Sequence, residues 1–129
     1  MSSTFTTRIA AVSGFLAVAL GAFGAHALKG TLELHGTIAI WQTAALYHLV
    51  HSVVLLVLAQ RDAPPRAAFF LFAAGIVIFS GSLYALALTN VKWLGAITPF
   101  GGLSLLGGWL SVAWRKIPNS KIQAPNNFQ

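Results

Sequence analysis

The chain has 129 residues and no cysteine. Disulfides, thiolate metal sites and thiol nucleophiles are therefore excluded. Charge is scarce as well. Only 8% of residues are charged, against about 25% in a soluble domain. The two carboxylates, Glu33 and Asp62, both lie outside the apolar stretches. Paired-carboxylate chemistry and a carboxylate-oriented Ser–His couple lack their parts. A phosphate-cradling glycine loop is also missing. The expectation is that the protein is not an enzyme.

Apolar surface is abundant. The chain is 57% hydrophobic, with a mean hydropathy of +0.76. A soluble chain this short has no interior large enough to hide that surface from water. Four apolar runs each approach the ~20 residues needed to cross a bilayer. The expected fold is all-α: an integral membrane four-helix bundle forming one domain. Its spans fall at about 8–29, 37–59, 67–89 and 93–114, followed by a basic tail, 115–129. The run 9–28 carries a small-x-small Ala25-His26-Ala27. It is longer than the 7–15 residues of a signal-peptide apolar region, so a retained span is expected. Residues 1–7 read as a short tail and 30–36 as a short connection. Thr37 is placed to cap the second helix. Trp41, Trp93 and Trp114 suit the interfacial aromatic belts. Pro99 is placed to kink the fourth span.

The net charge of +6 comes from residues at the ends of the runs, so nucleic acid is not expected as a partner. With four spans, Arg8, Arg61, Arg66, Arg115, Lys116 and Lys121 collect on one side, and Lys29 and Lys92 on the other. The positive-inside bias puts both termini in the cytoplasm. The lipid bilayer is then the first partner, and the basic tail can touch anionic lipid heads.

Two stripes of small residues allow close helix approach. One is Ala10, Gly14, Ala17, Gly21 and Ala25. The other is Gly101, Ser104 and Gly108.

The second run is interrupted by Tyr47, His48 and His51, which fall within roughly a quarter turn of one another. Such a stripe must face protein or water. Counting from Trp41, His48 and His51 lie roughly 10 and 15 Å deep. Ser80, Gly81 and Tyr84 share a face of the third run. The bland expectation is interhelical hydrogen bonding, such as His51 to Ser80 or Tyr47 to a backbone group. With no carboxylate in any span, and no deep histidine outside the second, no metal and no cofactor are expected.

The residues also resemble a known family. The motif-bearing stretches are Gly21-Ala22-Phe23-Gly24-Ala25-His26, then Trp41-x-Thr43-Ala44 followed by Tyr47 and His51. Phe79-Ser80-Gly81-Ser82-Leu83-Tyr84 comes next, and last Leu94-Gly95-Ala96-Ile97-Thr98-Pro99 with Gly101-Gly102. In that order, over about residues 8–114, they are similar to the domain of unknown function 423 family. These are the YgdD/YwdK-like small membrane proteins, related to transmembrane protein 256 of animals. The resemblance implies a multi-pass bacterial inner-membrane protein and carries no reaction, substrate or cofactor. It singles out His26, Tyr47, His51, Ser80 and Tyr84 as a candidate polar cluster in the outer half of the bundle, together with Trp41, Thr98 and Pro99. His48 and His35 fall outside its motif positions. The function expected first is an accessory subunit that packs against other membrane proteins or against itself. The alternative is a small-ligand, metal or proton site around Tyr47 and His51.

Overall fold

The computed structural model describes residues 3–61 and 65–114, and all its regular structure there is helical. The basic tail lies outside the described residues. The elements are α1 (Ser3–Ala25), α2 (Lys29–His35), α3 (Ile38–Ala59), α4 (Arg66–Gly75), a π-helical turn (Ile76–Ser80), α5 (Gly81–Thr89), a 3₁₀ turn (Lys92–Ala96) and α6 (Thr98–Ala113). They make four helices long and apolar enough to cross a membrane: Thr4–Ala25, Ile38–Ala59, Arg66–Thr89 and Lys92–Ala113. The third span is one rod built from α4, the π turn and α5.

Several expectations change. Helix α1 starts at Ser3 and ends at Ala25, so residues 3–7 are its first turns and not a tail. The connection 30–36 is mostly helix. Gly36 closes α2 in the left-handed region at φ 64°, where a glycine carries no side-chain penalty. Thr37 does not cap α3. Its hydroxyl instead donates to the Ala87 carbonyl at 2.8 Å, where His35 Nδ1 also donates at 3.2 Å. That double bond to one carbonyl straps α2 to α5. Pro99 sits in the first turn of α6, where its missing N–H has no partner to lose, so it starts the helix without kinking it.

The spans pack in sequence order. Helix α1 lies along α3, α3 lies along the third span, and the third span lies along α6. The second stripe of small residues makes the last seam. A Cβ at Gly101 would press on the Phe79 backbone, and one at Gly108 on the Phe72 ring. Ser104 Oγ donates to the Leu71 carbonyl at 2.7 Å. Of the first stripe, Ala10 and Ala17 are buried, and α1 touches α3 through them.

Two apolar clusters hold the array. One joins Leu55, Leu58, Phe69, Phe72 and Leu105. The other joins Leu32, Trp41, Ala44, Tyr84 and Ala87. In α3, residues 48–52 separate the two, and that is where the polar side chains gather.

Candidate functional site

On one flank of α3, His48 faces α1 and α5. Its Nε2 lies 3.2 Å from Ser13 Oγ and its Nδ1 3.4 Å from the Tyr84 hydroxyl. Ser13 Oγ is 2.6 Å from Ser52 Oγ, and Ser52 Oγ is 2.7 Å from the His48 carbonyl. Counting protons sets the direction of every bond. A carbonyl only accepts, so Ser52 donates to it. A hydroxyl has one proton, so Ser13 must donate to Ser52. His48 Nε2–H therefore donates to Ser13, and Nδ1 accepts from Tyr84. The tautomer is assigned by this network. The chain Tyr84 → His48 → Ser13 → Ser52 ends on a backbone carbonyl, and every side-chain proton in it is used.

On the other flank, His51 Nδ1 lies 2.7 Å from the Tyr47 carbonyl, and Trp109 Nε1 reaches His51 Nε2 at 3.3 Å. Indole is a donor only. Nε2 must therefore accept, and Nδ1–H donates to Tyr47. His51 is thus the opposite tautomer to His48. Its ring is walled by aromatics: Tyr47 at 5.9 Å between centroids, Phe72 at 5.7 Å and Trp109 at 6.2 Å.

The five residues of the candidate cluster do not converge. Tyr47 and His51 stack together. Ser80 is buried between the spans and donates to the Ala44 carbonyl at 2.9 Å, so the expected His51–Ser80 bond does not form. Tyr84 belongs to His48. His26 is exposed in the turn after α1 and joins neither network. Its residue falls just beyond the end of α1, which turns before the ring can point inward. Trp41 is buried, not interfacial. Its Nε1 donates to the Leu20 carbonyl at 2.9 Å, and its ring packs 4.6 Å from Tyr84. The indole lies so close to α1 that only a glycine fits at position 24. Among the described residues, no three His, Asp or Glu side chains gather as a metal shell, and every buried side-chain polar atom has a partner.

A groove of about 650 Å³ opens beside the His48 network, between α1 and the third span. Along α1 its wall runs from Phe5 to Leu20, with Arg8 near one end. Ala73, Ile76 and Gly81 form the opposite wall, and His48 and Leu55 the floor. The π turn lies in that opposite wall. The N–H of Gly81 reaches back five residues to the Ile76 carbonyl. Such widened turns are common at functional sites. Ser80, Gly81 and Tyr84, which share a face in the sequence, all line this groove.

A family model described as "Protein of unknown function (DUF423)" matches residues 20–102. The chain belongs to the DUF423 family. It is 40% identical over 110 residues to the UPF0382 membrane protein YwdK of Bacillus subtilis, covering 81% of this chain and 89% of that protein. Against the UPF0382 inner membrane protein YgdD of Escherichia coli K12 it is 42% identical over 116 residues, 84% of this chain and 86% of YgdD. Against the UPF0382 membrane protein SERP0230 of Staphylococcus epidermidis it is 44% identical over 106 residues, 79% of this chain and 86% of that protein. No solved structure matches at a significant level. This DUF423 protein is a multi-pass inner-membrane protein with four spans. The family match covers α3, the π turn and most of the groove, while Phe5 to Ser13 of α1 lie outside it.

Sequence reasoning passed over His48, Ser13, Ser52 and Trp109. The pairing of Ser52 with His48 was signalled by their i, i+4 spacing. Ser13 carried no signal beyond being a lone hydroxyl in an apolar run. Trp109 lies near the end of its span, where a tryptophan is ordinary.

Proposed function

We propose that this DUF423 protein is a non-catalytic accessory subunit of the inner membrane, packing against another membrane protein or a second copy of itself. One observation carries the reading. The spans form a row, not a closed ring, and the two edge spans bury little. In their most apolar windows, 11% of the first span and 17% of the fourth are buried, against 39% and 44% for the inner pair. The outer face of α6 presents Phe100, Leu103, Leu106 and Leu110, a continuous stripe for a neighbouring helix. The closed histidine networks support the reading, because they leave no side chain poised for acid–base or nucleophilic work. Both termini are cytoplasmic in this reading. Among the described residues Arg8, Arg61 and Arg66 lie at one end of the row, and Lys29 and Lys92 at the other.

The absence of native cysteine makes the test direct. Leu103→Cys and Phe15→Cys place single thiols on the two edges. Oxidation in intact membranes is expected to give one adduct of defined mass from at least one edge. Monomer alone at both positions would refute the reading.

A further inference from the structure

We propose that the groove between α1 and the third span is a binding site for an anionic phospholipid. One acyl chain lies along the groove and the phosphate is held by Arg8. This goes beyond the subunit reading and does not depend on it.

The argument starts from what the groove offers a guest. Five lining side chains can donate a hydrogen bond: Arg8, Ser13, His48, Ser80 and Tyr84. Four of them have no proton to spare. Tyr84, His48 and Ser13 are committed along their own chain, and Ser80 to the Ala44 carbonyl. A guest with a polar ring or carbonyl in its middle would therefore bury an acceptor unpaired, at a cost of about 1–3 kcal/mol. The remaining wall is apolar: Val12, Leu16 and Leu20 on α1, with Ile76 and Val77 facing them. The guest's body must be hydrocarbon.

Arg8 is the one charged residue in the lining. It is exposed, and none of the described residues forms an ion pair with it. It stands near one end of the groove, so the complementary guest is anionic at one end. Guanidinium binds phosphate oxygens in a fork geometry that suits a phosphodiester head. The length also agrees. From Arg8 to Leu20 is twelve residues, or about 18 Å of helix. One leaflet of hydrocarbon is about 15 Å, half of the ~30 Å core. A lipid with its phosphate at Arg8 thus lays its chain along the groove toward Leu20. The small residues Ala73 and Gly81 on the far wall leave the width. A Cβ at Gly81 meets no atom within 4 Å.

The test uses the full-length protein in mild detergent and native mass spectrometry, with added phosphatidylglycerol or phosphatidylcholine. Wild type is expected to retain one phosphatidylglycerol in preference to phosphatidylcholine by about tenfold, the scale of one charge-assisted hydrogen bond. Arg8→Gln should abolish that preference and leave weak binding of either lipid. Gly81→Phe grows a ring into open space and should remove both lipids. Excess inorganic phosphate should leave the lipid in place. Equal retention of the two lipids by wild type would overturn the proposal. So would an unchanged preference in Arg8→Gln, which alters only an exposed side chain and stands even if Gly81→Phe does not fold. A crosslinked edge together with an empty groove would leave the subunit reading intact and sink this one.

Discussion

Replacing Gly101 with alanine is the sharpest test of the packing between the third and fourth spans. The added Cβ would lie 2.7 Å from Phe79 Cα and 2.8 Å from its Cβ, and closer still to its backbone nitrogen. Ordinary contact needs at least 3.4 Å. These are main-chain atoms, so no rotamer change relieves the clash, and α6 must retreat by about 0.7 Å or more. Two bonds cross the same seam. Ser104 to the Leu71 carbonyl is 2.7 Å, and Ser82 to Thr98 is 2.8 Å. The retreat stretches both to the edge of hydrogen bonding. Interhelical bonds in membranes contribute about 0.6 kcal/mol each on average and up to about 1.7. Adding the lost van der Waals contact, the expected loss is about 2–4 kcal/mol. Equilibrium unfolding with rising SDS in bicelles measures it. Gly81→Ala is the control: its Cβ enters open space, and replacing a helical glycine should stabilise by up to about 1 kcal/mol. If Gly101→Ala unfolded at the same SDS fraction as Gly81→Ala, the described seam would be wrong.

Trp41→Phe should destabilise the protein by about 0.6–2 kcal/mol, because it removes the indole bond to the Leu20 carbonyl while keeping a ring against Tyr84; the same SDS titration reads it, and no change would mean α1 does not dock there. Nitrogen NMR of ring-labelled histidine in bilayers should show opposite tautomers, Nε2–H for His48 and Nδ1–H for His51. Trp109→Phe should shift the His51 ring signals and leave those of His48 unchanged. A common tautomer for both rings would break the proton count on which the networks rest. Ser13→Ala should cost about 1–3 kcal/mol by orphaning the His48 Nε2–H; an unchanged SDS midpoint would show that His48 does not depend on α1. A reporter enzyme active only outside the cytoplasm, fused at the C-terminus, should be silent; an active fusion would reverse the assigned orientation.

The spans were legible because nothing but a membrane accommodates four apolar runs of that length. The small-residue faces were legible for the same reason, since Gly101, Ser104 and Gly108 have no other use at that spacing. The partners of the histidines were harder. His48 and His51 differ by three residues on one helix, yet they serve opposite flanks. Which of them meets a hydroxyl depends on how α1 and α6 lean on α3, and no local pattern records that. Trp41 shows the same limit. An indole near a helix end looks like a belt residue, and only the glycine facing it across α1 reveals that it turns inward. The groove was not legible, because it is a gap between elements far apart in the chain.

The order of the row bears on how the protein is made. Each span rests on the one synthesised before it, and no span has to wait for a distant one to find its place. The ribosome delivers the N-terminal portion first. The α1–α3 hairpin can therefore form before the third span leaves the insertion machinery, and α6 closes the series on a surface already complete. Local contacts of this kind favour rapid assembly. A chain cut short after α5 would then keep a formed core, and only its last edge would stay bare.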